Sequence, residues 1–100
     1  MIKHLVIWRL KSYAHGNDKA TNARLIKQKL EALRGRIPGL EAIEVGVDFA
    51  ATPNSSDVSL YTEFSSPAAL DAYQTHPEHL AVVAFVKDAV IERRMVDYEA

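Results

Sequence analysis

The sequence of 100 residues contains no cysteine, and this absence removes several classes of chemistry at once. Without thiols the chain has no disulfide framework, no thiolate nucleophile and no cysteine-ligated zinc or iron–sulfur site. Its four glycines are dispersed, so no glycine-rich loop is present to bind phosphate or a dinucleotide. A Ser-His-Asp signature is also absent. Thiol chemistry and a nucleotide cofactor bound by a glycine-rich loop are therefore not expected.

Charge of one sign and long apolar runs are missing as well. The formal net charge is −1 and the sequence pI is about 6.4, so neither nucleic acid nor an anionic membrane is an expected partner. No apolar run approaches the roughly 18 to 20 residues that a membrane-spanning helix requires. The segment that starts at Met1 reads as a strand rather than as an apolar targeting segment. We expect a cytoplasmic protein.

What the sequence does contain is the composition of a folded domain. Hydrophobic residues make up 48% and charged residues 25% of the chain, which argues against disorder. A chain of this length supports one hydrophobic core but not a second. Residues 1–100 are therefore predicted to form a single domain.

The segment Ile2–Lys11 is predicted to be a strand with two apolar faces, because β-branched and aromatic residues alternate along it. The helix that follows begins at Asn17 or Asp18 as a capping residue. It is expected to run for about four to five turns and to end at Gly35 and the Ile37-Pro38-Gly39 turn. Its inward face is read from apolar residues at three- and four-residue steps, namely Ala23, Ile26, Leu30, Leu33 and Ile37.

The second half of the chain repeats the order of elements. Strands at 40–49 and 57–64 are separated by a short loop and are predicted to pair as an antiparallel hairpin. Ser66 followed by Pro67 is a strong helix start. Pro77 breaks that helix and opens another, since the residue before proline is pushed out of helical geometry. A last strand covers 90–98.

The order β-α-β-β-α-β predicts an α+β domain of the ferredoxin-like class, with helices on one face of a four-stranded antiparallel sheet. On the first strand, one face carries Val6 and Trp8, and the other carries Leu5 and Ile7. Helices can cover only one of these faces, and a large exposed apolar patch is unusual in a monomer. We therefore expect a homodimer in which two copies pack through the sheet face.

Five segments, which together extend over nearly the whole chain, form a recognisable series. They are Met-Ile-Lys-His-Leu-Val-Ile-Trp-Arg-Leu-Lys at the start, Ile37-Pro38-Gly39 with Glu44-Val45-Gly46, Asp57 to Phe64, Ala72 to His79, and Met95-Val96-Asp97-Tyr98. In their order and spacing these segments resemble the stress-responsive A/B barrel domain family. The family implies a dimeric α/β barrel in which two sheets close face to face.

This resemblance also implies candidate chemistry. The family includes plant stress proteins, bacterial proteins without a known activity, and a plant polyketide cyclase of the olivetolic acid cyclase type. That cyclase closes a linear polyketide by aldol condensation without a cofactor. Its key residues fall, by motif, on His4, Tyr73 and His79 of this chain, which become the candidate catalytic residues.

Residues of the chain itself allow the same chemistry and a simpler alternative. Two histidines and a tyrosine hydroxyl can remove a proton next to a carbonyl and hydrogen-bond the resulting enolate. The same histidines can equally be core residues that satisfy buried backbone groups. Candidate ligand contacts around them are Val6, Trp8, His76, Val82 and Phe85.

Other polar residues have ordinary expected roles. His76 precedes Pro77 and is expected mainly to cap the helix break. His76 and His79 lie three residues apart but lack a third ligand, so no metal site is expected. Glu63 and Asp97 lie on strands, where an ion pair with Arg93 or Arg94 would explain them.

The leading interpretation is a homodimeric barrel that binds a small apolar or aromatic ligand, with no cofactor, and performs acid/base chemistry on a carbonyl or aromatic compound. The alternative is a stress-response or binding protein without catalysis, in which the histidines are structural. A third reading, an oxygenase on the same barrel, has no specific support in the sequence. The fold itself names no substrate.

Overall fold

Four long strands form one antiparallel sheet in a computed structural model that describes residues 1–100. The spatial order is β4-β5-β1-β6, so the first strand lies in the interior and the last strand at an edge. The elements in chain order are β1 (Ile2–Leu10), β2 (Tyr13–Ala14), β3 (Asn17–Asp18), α1 (Lys19–Glu31), β4 (Leu40–Val47), β5 (Val58–Phe64), α2 (Pro67–Thr75), α3 (Pro77–Ala89) and β6 (Val90–Glu99).

The predicted ferredoxin-like arrangement is confirmed, including the split of the second helical region. Ser66 caps α2 by accepting a hydrogen bond from the Ala69 N–H at 3.1 Å. His76 ends α2 and caps α3, and Pro67 and Pro77 occupy the first helical positions. Proline fits there because the N–H that it lacks would have no partner inside the helix.

The first helix is shorter than predicted, because α1 ends at Glu31 and residues 32–36 form turns. Hydrogen bonds to the third preceding carbonyl tighten this stretch, including Leu33 N–H to Leu30 O at 3.0 Å. Leu33 and Ile37 are nevertheless buried, each only 4% exposed. The turns happen to keep the apolar spacing of a helix, which explains why the spacing alone predicted a longer one.

A small hairpin, β2 and β3, occupies the segment that the sequence predicted only as polar turn residues. Its turn residues His15 and Gly16 have φ values of 56° and 74°, the left-handed pair typical of two-residue hairpins. Asn22 of α1 is fully buried and donates to Ala14 O at 3.0 Å, which fixes the hairpin to the helix. Asp18 is the N-cap of α1, with its Oδ1 accepting from the Thr21 N–H at 2.8 Å.

Strand β4 ends at Val47, two residues before the predicted end. Phe49 is 98% exposed and therefore makes no contribution to the core of this chain. The alternation of apolar residues continues to Phe49, which is why the sequence predicted a longer strand. Strand pairing ends earlier: the Asp48 N–H donates to Asp57 O at 2.9 Å, and the chain then enters the loop.

The two faces of the sheet have different environments. Val6, Trp8 and Leu10 of β1 are buried beneath the helices. The opposite face, here called the outer sheet face, is not covered: Ile7 is 44% and Val96 53% exposed. Its apolar and aromatic residues are Leu5, Ile7, Tyr61, Val96 and Tyr98. None of the three helices has the length and apolar character needed to cross a membrane.

Candidate functional site

A cavity of about 360 Å³ lies between α3 and the helix-covered face of the sheet. Strand alternation supplies one wall and the inward face of α3 supplies the other. The apolar wall residues are Val6, Trp8, Leu30, Leu60, Leu80, Val82, Val83, Val86 and Val90. The polar wall residues are His4, Gln74, His79, Lys87 and Arg93.

His4 is held by a carboxylate from the neighbouring strand. Antiparallel pairing places Asp97 of β6 directly opposite His4 of β1, with both side chains on the helix-covered face. Nδ1 of His4 donates to Oδ1 of Asp97, and the imidazole itself is almost fully buried. The other ring nitrogen, Nε2, has no protein partner, and His4 lines the cavity. This is the arrangement in which a carboxylate orients an imidazole as a base.

The expectation that Asp97 and Glu63 pair with Arg93 or Arg94 is wrong. Arg94 lies on the outer sheet face and donates to Glu92 instead, at 3.3 Å. Arg93 shares a face with Asp97 but is paired with Trp8, two pleats away along the strand. Glu63 accepts a hydrogen bond from the Tyr61 hydroxyl at 2.5 Å.

Tyr73 lies beneath the two histidines and is fully buried. Its ring stacks on His79 with centroids 3.9 Å apart, and the His4 ring approaches it edge-on at 6.3 Å. The hydroxyl has no hydrogen-bond partner. Burial raises the pKa of Tyr73 far above its usual range, with Arg93 opposing the shift by its charge, so the hydroxyl stays protonated.

His79 occupies the first turn of α3 and is 8% exposed. Desolvation by burial lowers the pKa of His79, and the neighbouring His4 and His76 act in the same direction. The backbone of Gln74 and Tyr73 opposes that shift, yet Nδ1 of His79 has no hydrogen-bond partner of good geometry. A histidine with a lowered pKa is neutral at pH 7. The site therefore holds two buried polar atoms without partners, on adjacent stacked rings.

His76 and Phe85 do not line the cavity, contrary to the sequence-based expectation. His76 caps α3 instead, since its Nδ1 accepts from the Glu78 N–H at 3.1 Å, as predicted for its capping role. Phe85 is turned toward the β2–β3 hairpin, where its ring stacks on His15 with centroids 4.1 Å apart. The sequence predicted Phe85 in the cavity wall because it lies three residues after Val82, a spacing that often shares a helix face. In the structure α3 presents Val82 and Val86 to the cavity, and Phe85 points away from it.

The remaining predicted site residues fall where the sequence placed them along the elements. His4, Val6, Trp8, His79 and Val82 line the cavity, and Tyr73 lies behind the histidines without reaching its wall. Sequence reasoning missed the role of Asp97 and the wall residues Gln74, Lys87 and Arg93. Alternation along β6 places Arg93 and Asp97 on one face, so the sequence pattern was sufficient to predict that both lie on the helix-covered side. No three His, Cys, Asp or Glu side chains are arranged to hold a metal ion.

Both a family model and solved structures of other proteins match this chain over nearly its full length. The model of a family described as the Stress responsive A/B Barrel Domain matches residues 2–100. A dimeric protein of unknown function and ferredoxin-like fold from Bacteroides fragilis is 31% identical, with a TM-score of 0.85 over 99% of this chain and 95% of that chain. Among curated proteins, none matches significantly.

Two more distant structures, each less than 25% identical to this chain, have the same fold. A protein of the same family from Mesorhizobium loti is 24% identical, with a TM-score of 0.75 over 99% of this chain and 95% of that chain. A hydroxynitrile lyase from Passiflora edulis is 17% identical, with a TM-score of 0.80 over 97% of this chain and 90% of that chain.

Proposed function

The chain belongs to the stress-responsive A/B barrel domain family, and on that premise we propose that it is a homodimeric barrel that performs cofactor-independent acid/base chemistry on a small carbonyl or aromatic compound. The single observation that carries the proposal is the His4–Asp97 pair at the wall of an otherwise mostly apolar cavity. Apolar cavities with a few convergent polar groups are the usual form of small-molecule sites.

The dimer part of the proposal rests on the outer sheet face. An uncovered sheet face with Ile7 and Val96 about half exposed is costly for a monomer in water. The Bacteroides fragilis protein, of the same size and fold, is dimeric. A second copy packed on the outer sheet face would bury these residues and leave each cavity on the opposite, helix-covered side.

The catalytic part follows from the protonation states. An imidazole whose Nδ1–H donates to Asp97 keeps a free lone pair on Nε2, the nitrogen available to the cavity. This nitrogen would remove a proton from the carbon next to a carbonyl, and the carboxylate would stabilise the imidazolium that forms. The neutral ring of His79, which lines the cavity, would donate a hydrogen bond to the enolate oxygen, with the Tyr73 ring stacked behind it.

The experiment is proton exchange on 2-tetralone, a small aromatic ketone, in deuterated buffer followed by proton NMR. The wild-type protein should accelerate loss of the α-proton signal by at least about 100-fold over an equal concentration of free imidazole, the usual contribution of a positioned base. His4→Ala should abolish the acceleration. Asp97→Asn should slow it by about tenfold or more, because the imidazole loses its orienting carboxylate.

His15→Gln is the matched control, since His15 lies on the β2–β3 hairpin and is not part of the cavity wall. Its exchange rate should equal that of the wild type. Catalysis by His4 would be contradicted if the wild-type protein exchanged the α-proton no faster than free imidazole. It would also be contradicted if His15→Gln and His4→Ala lost the acceleration equally.

The second candidate is ligand binding without catalysis, with the histidines as core residues. The stacking of Tyr73 on His79 at 3.9 Å favours it, because such stacking is ordinary aromatic packing. The two candidates differ in one result: a binder retains 2-tetralone in the cavity, seen as quenching of Trp8 fluorescence, without exchanging its protons.

A further inference from the structure

The cavity wall carries two cationic side chains and no acidic one. Lys87 and Arg93 both line it, and none of the fourteen wall residues is Asp or Glu. This local excess of positive charge contrasts with the formal net charge of −1 for the whole chain. The cavity wall therefore has a local positive charge that the chain as a whole lacks.

Neither cation is neutralised by the protein. Lys87 and Arg93 form no salt bridge and donate no side-chain hydrogen bond. Some of the other basic residues do have partners: Arg36 pairs with Glu78 at 3.1 Å, Arg94 with Glu92 at 3.3 Å and Lys27 with Glu31 at 2.9 Å. An unpaired guanidinium beside apolar walls retains all of its donors for a ligand.

The two cations reach the cavity from opposite sides. Arg93 lies on β6, opposite Trp8 in the sheet, and Lys87 lies in the last turn of α3. Arg93 is close enough to the buried polar groups to oppose the rise in the pKa of Tyr73 by its charge. Asp97, the acid on the same face of β6 as Arg93, is engaged with His4. A ligand with an apolar body and one negative group would contact the apolar wall with its body and the two cations with its charge.

We propose that the ligand of this cavity is an organic acid, with its apolar body between β1 and α3 and its carboxylate bound by Arg93 and Lys87. This inference rests on the proposed small-molecule function and specifies the class of compound. The planar fork of Arg93 suits a carboxylate, which it can bind through two parallel N–H donors.

The experiment compares 4-butylbenzoate with 4-butylbenzamide, two probes of nearly the same shape that differ in charge at neutral pH. Binding is measured by the fluorescence of Trp8, the single tryptophan, which lines the cavity, and independently by calorimetry. The benzoate should bind the wild type about tenfold more tightly than the benzamide, the gain expected from charge-assisted hydrogen bonds near water.

Variants assign that preference to the two side chains. Arg93→Gln should bring the affinities for the two probes to within about twofold, and Lys87→Met should reduce the preference to about threefold. Arg94→Gln is the matched control: it removes the same charge one residue away, on the outer sheet face, and should retain the full preference. Light scattering confirms that all variants keep the same assembly, and circular dichroism that they fold.

Each outcome separates this inference from the proposed function. Equal affinity of the wild type for the two probes would overturn the organic-acid inference while leaving a small-molecule site. A preference that persists in an Arg93→Gln/Lys87→Met double variant would overturn the assignment to these side chains. Absence of binding by either probe overturns the inference, and 2-tetralone exchange then shows whether the proposed acid/base function stands without it.

Discussion

At the residue scale, burial rather than charge pairing sets the pKa shifts of His79, in the cavity wall, and of Tyr73 behind it. His79 and Tyr73 have polar atoms without hydrogen-bond partners, although most buried polar groups in proteins are satisfied. Each such atom costs free energy that a purely structural core would avoid. His4 is different, because Asp97 fully engages its Nδ1.

The lowered pKa of His79 predicts a pH dependence of stability. Since the folded state disfavours the charged ring, the unfolded chain binds more protons as the pH falls through the unfolded pKa of His79, about 6.5. The contribution of His79 to the free energy of unfolding should therefore be largest above this pH, fall below it, and stop changing once the pH is below the folded pKa of His79.

Urea denaturation at pH 7.5 and pH 5.5 measures this effect. His79→Gln should show a smaller loss of stability between the two pH values than the wild type, since its side chain does not titrate. His15→Gln, which alters a histidine outside the cavity, should keep the wild-type loss. An unchanged pH dependence in His79→Gln would show that His79 is not the group responsible.

At the element scale, the turns between α1 and β4 depend on a close contact between Gly39 and α2. Gly39 has a φ of +83°, and a Cβ added there would lie 2.5 Å from Cβ of Ala69 in α2. Gly35 has a similar φ of +77°, but no heavy atom lies within 4 Å of the corresponding position. The two glycines share a backbone conformation and differ only in available space.

Alanine substitutions separate these two effects. Gly35→Ala should destabilise the fold by about 1 kcal/mol, the cost of left-handed backbone for a residue with a Cβ. Gly39→Ala should cost about 2 to 4 kcal/mol, because displacement of α2 adds an overpacking term. Chemical denaturation measures both, and equal losses would show that α2 moves freely to accommodate the methyl group.

At the scale of the whole molecule, the sheet has one face covered by helices and one uncovered. The outer sheet face has the apolar character of an interface, and Ile7 lies near its centre on the interior strand β1. A charge placed there would remain buried without a partner in a face-to-face dimer, at a cost of several kcal/mol.

Light scattering should give a mass about twice the 11.1 kDa of one chain for the wild type. Ile7→Lys should shift the protein to the monomer mass. Tyr13→Lys introduces the same charge at another exposed apolar residue, on the β2–β3 hairpin away from the outer sheet face, and should remain dimeric. A wild type with the mass of one chain would contradict the proposed dimer.

The sequence by itself determined the order of the four long strands and the helices, the faces of the strands and the helix starts. These features arise from local rules: alternation assigns Val6 and Trp8 to the core, and Ser66-Pro67 and His76-Pro77 begin the second and third helices. Local rules failed where spacing did not distinguish a turn from a helix, as at Leu33 and Ile37, or a strand from a loop, as at Phe49.

Only the tertiary structure decided which polar residues meet. His4 and Asp97 are 93 positions apart in the chain, and their contact depends on the register between β1 and β6. That register is set by the packing of the whole sheet against three helices, since a shift of one residue would turn every side chain of a strand to the other face. The same packing brings Lys87 and Arg93 to one cavity and turns Phe85 away from it.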